Sequence, residues 1–270
     1  MRFVPKKPRE GINVSDTHPL VEAGTLMIGL GLLFVFATFV LVFVVEVALY
    51  FVSPEAEAEF FEGWAPGDLA SLDEDDRRLQ ETRALVGRIA RHWPDSPYEF
   101  RLEVDQSEVP NAMAFPGGLV IVTTGLLDRV ESENELAFVL GHEIGHFKNR
   151  DHLRMLGRGF VFSIFFNVVL ASDGSDAFGL TVADLALRGF SREQESEADL
   201  VALEMLQAEY GHVDQSWRFF ERLIEEERES TWLFVYLSTH PAAEMRIDEI
   251  REHAYAEGWP VVGDTTPLSW

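Results

Sequence analysis

The sequence predicts an α+β protein, mainly helical, with a small sheet and one apolar helix near its start. Three observations predict it. An uncharged run from Leu26 to Val45 is long enough to cross a bilayer. Alternation of apolar and polar residues with period two is confined to the region around residues 100–123. From Thr124 to about residue 256 the apolar spacing is mostly helical.

The apolar run reads LMIGLGLLFVFATFVLVFVV and continues past Glu46 to Val52. A helix rises about 1.5 Å per residue, so roughly 20 residues match the ~30 Å hydrocarbon core. Ala56-Glu57-Ala58 resembles a cleavage site, but a signal peptide has a shorter apolar core. A buried core helix rarely stays apolar on every face over such a length. The expectation is an uncleaved anchor over residues 23–52, behind an N-terminal segment of residues 1–22. Arg2, Lys6, Lys7 and Arg9 precede the span, and Glu55, Glu57, Glu59, Glu62 and Asp68 follow it. That asymmetry predicts a cytoplasmic N-terminus, with the rest of the chain across the membrane. In a Gram-negative cell this means a single-pass inner (cell) membrane protein with a periplasmic, extracytoplasmic main domain. Membrane lipid is then an expected partner.

Residues 53–72 read as an acidic linker containing a short helix. Leu79, Leu85, Val86 and Ile89 predict an amphipathic helix that ends before Pro94. Phe100, Leu102 and Val104 alternate with charged residues as a strand does. Asn111 to Phe115, the turn residues Pro116-Gly117-Gly118, and Leu119 to Thr123 predict a hairpin. Ser132 and Glu135 have capping-box spacing ahead of an apolar-periodic run. Phe160 to Ala171 is too short to span a membrane and reads as a buried helix or an interfacial segment, ended by the Gly-Asp-Ser cluster at 172–176. Residues 73–258 form the main domain, and residues 259–270 a polar tail.

The 46 acidic residues outnumber the 22 basic ones, and the formal charge is -24. Phosphate binding needs clustered Lys and Arg, so a nucleic-acid partner is excluded. With no cysteine in the chain, a metal here must be held by His, Asp or Glu.

Such residues concentrate in GHEIGHFKNRDH, Gly141 to His152. His142 and His146 are four apart on one helical face, and Glu143 follows the first histidine. This is the HExxH arrangement: two neutral imidazoles bind zinc, and the glutamate takes a proton from an activated water. A third ligand is available in SREQESEADLVAL, Ser191 to Leu203, where Glu195 and Asp199 are also four apart. Glu195 could complete a His2Glu site, and Asp199 could accept a proton from a ligand histidine and fix its tautomer. Read alone, the same stretch is a solvated charged face. His152 reads either as a group supporting the ligands or as a helix-end histidine that favours the dipole, and His18, His92, His212 and His253 read as surface residues.

NAMAFPGGLVIVTTGLL, GHEIGHFKNRDH, SREQESEAD and STHPAAEMRI together resemble the M48 family of zinc metallopeptidases, over residues 75–255. The family has CAAX-processing, heat-shock and Oma1/BepA-type quality-control branches. The resemblance implies a gluzincin-like fold, one zinc ion per chain and endopeptidase activity on polypeptide substrates, unfolded or misassembled membrane or envelope proteins. It implies His142, His146 and Glu195 as zinc ligands, Glu143 as general base and Asp199 as their supporting aspartate. His240, in Ser238-Thr239-His240-Pro241, is implied to stabilise the oxyanion or to occupy the open metal position, with Arg246 in support. The plain alternatives are a helix-start histidine and an Arg246–Glu249 pair. Asn111, Ala112, Met113 and Ala114 match the family's edge strand, which receives substrate by backbone pairing. Some branches have several membrane spans; the single span here places the chain nearer the quality-control branch. A chaperone or adaptor with a zinc site and no proteolysis is the alternative, and an intact Glu143 speaks against it.

Overall fold

The computed structural model describes residues 18–66, 69–155, 157, 190–226, 240 and 243–270. Phe160 to Ala171, the cluster at 172–176, the basic residues at the start, and Ser238, Thr239 and Pro241 lie outside them. The chain divides into two compact units, Met1–Val44 and Val45–Trp270.

The first unit holds most of helix α1, Pro19–Tyr50, whose most apolar stretch has a mean hydropathy of 2.9. None of its residues is buried. By length and composition this helix can cross a membrane.

In the second unit, α2 (Pro54–Phe60) begins at the Ser53 cap, whose hydroxyl accepts from the Ala56 amide. Its Glu57 is buried, so the expected acidic linker contains a carboxylate taken out of solvent. Helix α3 (Arg77–Ala90) buries Leu79, Leu85, Val86 and Ile89, the face that its apolar spacing predicts. Strands β1 (Arg101–Asp105), β2 (Ala112–Phe115) and β3 (Leu119–Thr123) form a sheet in the order β1-β3-β2. β1 runs parallel to β3 and β2 antiparallel to it. β3 reads LVIVT without alternation because both of its faces are covered. Val120 and Val122 enter the main core, while Leu119 and Ile121 join Phe115 under Trp64, Leu69 and Met113. The β2–β3 turn needs positive φ at Gly117, where a β-carbon would also stand 2.6 Å from the Phe61 carbonyl oxygen.

After the short α4 (Thr124–Leu127), α5 (Glu133–Asn149) runs through the middle of the domain, buried from Asn134 to Phe147. Ser132 caps it as expected. Glu135 departs from the capping box by accepting from the Glu131 amide. Helices α6 (Arg192–Tyr210), α7 (Arg218–Glu226) and α8 (Ala243–Ala256) complete the described helices. Residues 259–270 are not a free polar tail. Trp259, Val261, Leu268 and Trp270 pack on the core, and the Thr266 carbonyl accepts from the Glu133 amide. His212, expected at the surface, is buried with its Nε2 against the Asp264 carbonyl.

Candidate metal centre

The centre is built on the crossing of α5 and α6. Gly141 and Gly145 are four apart on α5, and Ala198 and Ala202 are four apart on α6. A β-carbon at Gly145 would lie 2.8 Å from the Ala198 Cα, and one at Gly141 3.1 Å from the Ala202 Cα. Small residues on both helices therefore let the backbones approach closely. The close crossing sets Glu195 and Asp199 opposite His142 and His146. α6 starts at a complete capping box, in which Ser191 and Gln194 satisfy each other's amides.

Ligand-type atoms of His142, His146, Glu195 and His240 all lie within 4.8 Å of one another, and all four residues are buried. His142 Nε2 is 3.0 Å from His146 Nε2 and 3.6 Å from Glu195 Oε2. His146 Nε2 is 3.5 Å from Glu195 Oε1, and His240 Nδ1 is 3.3 Å from His142 Nε2. Tetrahedral zinc with ligand distances of roughly 2.0–2.2 Å sets its donor atoms about 3.3–3.6 Å apart, so this donor set fits the ion. The outer nitrogens support the same reading. His142 Nδ1 is 2.9 Å from Asp199 Oδ1, and His146 Nδ1 is 3.0 Å from Asp151 Oδ2. Each carboxylate accepts a hydrogen bond from an Nδ1–H, which leaves the Nε2 lone pair facing the centre.

Asp151 escaped the sequence reading. It lies five residues beyond His146, off the helical register, and reaches back only because Arg150 adopts the left-handed conformation at φ 59. Phe190 was also missed: its ring stacks on His146 at 3.8 Å between centroids.

Arg246, on α8, is 2% exposed and grips Asp199 bidentately, with Nε and Nη2 each at 2.7 Å. Its Nη1 is 2.5 Å from Glu195 Oε2, and its guanidinium lies over the Phe220 ring. Its closest acidic partners are thus Asp199 and Glu195. Burial alone would raise the Glu195 and Asp199 carboxyls, but Arg246 and the adjacent histidines hold both below the usual range. Burial and Arg246 lower His142, which keeps it neutral as a ligand must be. At His146 burial is outweighed by Asp151 and Glu195, and its pKa is pushed up to about 9. Protons and a metal dication therefore compete for its Nε2.

Glu143 is 1% exposed, and its Oε1 is 3.7 Å from His240 Nε2. Its Oε2 has no hydrogen-bond partner among the described residues. A buried carboxylate oxygen left without a donor is costly in a purely structural role. At the sheet, Asn111 is tied to its own strand: its amide donates to Thr123 Oγ1, and its side-chain oxygen accepts from the Ala112 amide. Its carbonyl accepts from the Thr123 amide. By the same parity the backbone groups of Ala112 and Ala114 face away from β3. His152, read from the sequence either as a support for the ligands or as a helix-end histidine, is buried against Glu57.

The chain matches the description "Peptidase family M48" over residues 74–254. It is 28% identical over 191 residues to the mitochondrial metalloendopeptidase OMA1 of Schizosaccharomyces pombe, covering 65% of this chain and 56% of that protein. It is 28% identical over 199 residues to the beta-barrel assembly-enhancing protease of Escherichia coli K12, covering 68% and 40%. With the Arabidopsis thaliana OMA1 it shares 33% over 176 residues, covering 64% and 35%. The chain thus spans between about a third and just over half of the length of these relatives. With the match extending over most of the main domain and its buried His–Glu cluster, the chain belongs to peptidase family M48, a family of metallopeptidases.

Proposed function

We propose that this protein is a membrane-anchored zinc endopeptidase that cleaves unfolded or misassembled membrane or envelope proteins. The single observation that carries the reading is the convergence of His142, His146 and Glu195 beside a Glu143 oxygen that has no partner among the described residues. The anchor is α1, and the charge asymmetry around it favours a cytoplasmic N-terminus with residues 53–258 outside. The names of the relatives, a mitochondrial metalloendopeptidase and an assembly-enhancing protease, favour a quality-control role.

His142, His146 and Glu195 would hold the zinc ion, with Asp199 and Asp151 orienting the imidazoles. Bound there, zinc supplies Lewis-acid activation of water and of the scissile carbonyl near neutral pH. Glu143 Oε2 takes the proton of the attacking water and passes it to the leaving amine. An extended substrate pairs with the outward carbonyl of Ala112 and the outward backbone of Ala114, beside Met113, and so lies along the strand that packs on α5. Arg246 holds Asp199 and Glu195 in place.

Replacing Glu143 by Gln leaves the ligands intact and removes the proton acceptor. Hydrolysis of casein falls about 100- to 10,000-fold with zinc content unchanged; a variant that cleaves at the wild-type rate overturns the mechanism.

A second reading concerns the resting state. His240 Nδ1 sits within the donor set, 3.2 Å from Glu195 Oε2, which favours a latent enzyme in which His240 occupies the open metal position. His240→Ala then raises activity; an inactive variant assigns His240 to oxyanion stabilisation instead.

A further inference from the structure

Helix α5 ends at Arg150, in the left-handed conformation with φ 59 and ψ 30. Glycine is the ordinary occupant of such a position, because a β-carbon is penalised there. Arginine at this point implies that the side chain has a task. Its Nη1 donates to the Val52 carbonyl at 2.7 Å, just past the end of α1, and its Nη2 to Glu57 Oε2 at 3.2 Å on α2.

Glu57 is 2% exposed, and both of its oxygens are engaged. Oε2 also accepts from the Tyr98 hydroxyl at 2.9 Å, and Oε1 meets His152 Nε2. His152 returns to the metal helix, with Nδ1 3.4 Å from the His146 carbonyl. Burial and the Glu57 carboxylate raise the Tyr98 hydroxyl far above its usual value, so it remains a donor. Glu57 therefore holds the residues on both sides of Asp151. Asp151 itself is fully buried, with Oδ2 on His146 Nδ1 and Oδ1 accepting from Gln194, the capping residue of α6.

We propose that Glu57 is a positioning residue for the metal centre, acting through Arg150 and His152 on Asp151 and thence on His146. The segment that follows α1 is thereby mechanically tied to the metal ligands. Nothing in the HExxH chemistry requires this cluster, and it lies outside the matched residues 74–254 on the Glu57 side. A carboxylate that merely filled space beside α2 would not need to hold both neighbours of the one residue that orients His146. The inference rests on the reading of His146 as a metal ligand.

The test is zinc affinity, measured by competition with a chromophoric chelator on the full chain in detergent, in a Glu143→Gln background. Arg150→Gly deletes the guanidinium while keeping the left-handed backbone, and Glu57→Gln keeps the shape and one acceptor while removing the charge. Arg150→Gly is expected to bind zinc about tenfold more weakly, at the lower end of the range for residues that orient ligands, with its unfolding temperature held. Glu57→Gln shows a smaller loss in the same direction. Leu79→Ala, a core truncation on α3, is the control: its unfolding temperature falls and its zinc affinity does not. Unchanged affinity in both Arg150→Gly and Glu57→Gln overturns the proposal, as does an equal loss in Leu79→Ala. A parent that binds no stoichiometric zinc overturns the reading of the metal centre instead.

Discussion

Two buried clusters in this protein use the same side-chain chemistry and reach opposite results. At the candidate metal centre His142, His146, Glu195 and His240 converge, with their ligand-type atoms within 4.8 Å of one another. Six residues after His146 in the chain, His152 is equally buried against Glu57, whose two carboxylate oxygens are engaged by His152, Tyr98 and Arg150. One cluster aims several lone pairs at a common point and, among the described residues, leaves a Glu143 oxygen without a partner. The other gives both oxygens of its carboxylate a partner. Histidine and glutamate in a core therefore do not define a metal site; convergence and incomplete pairing do.

The most severe way to break the contrast is Glu195→Ala. It removes the carboxylate that completes the donor set, and zinc content falls from one per chain towards none with loss of proteolysis. Elemental analysis of the purified variant checks this, and full occupancy would sink the ligand assignment. Next is Gly145→Ala, which touches no ligand. Its β-carbon would stand 2.8 Å from Ala198 backbone atoms, forcing α5 and α6 apart at a cost of about 1–3 kcal/mol. Urea unfolding together with zinc titration should show both stability and affinity reduced.

The smallest expected effect lies in the saturated cluster. Burial opposes ionisation of Glu57, but His152, Tyr98 and Arg150 hold its carboxyl below the ordinary value of 4.5. A depressed carboxylate stabilises the fold fully above its unfolded pKa and loses that contribution as the pH falls through the folded one. The stability difference between wild type and Glu57→Gln should therefore shrink on acidification from pH 7 to below about 4. A difference that stayed constant would show that the charge of Glu57 contributes nothing.

Much of the metal centre was legible because a helix repeats every 3.6 residues. The i,i+4 spacing of His142 with His146, and of Glu195 with Asp199, assigns each pair to one face without reference to the fold. Other features were not legible, for two physical reasons. Asp151 is off that register and is recruited only by the left-handed backbone at Arg150. Glu57 is 41 to 95 residues from its partners, so its burial depends on where α2 packs. The apparent polar tail illustrates the same limit: its tryptophans are few and spaced without period, yet they cover the core.

The sequence by itself determined the apolar helix α1, the period-two strands, the capped start of α5 and the spacing of the candidate ligands, because each depends on neighbours within a turn or a pleat. Only the tertiary structure decided how closely α5 and α6 cross. That distance is set by Gly141 and Gly145 meeting Ala202 and Ala198, and it turns two helical faces into one donor set. Tertiary structure likewise decided which carboxylates are held by Arg246 and which buried glutamate holds the residues on either side of Asp151. Those outcomes depend on contacts between segments far apart in the chain, where no local periodicity operates.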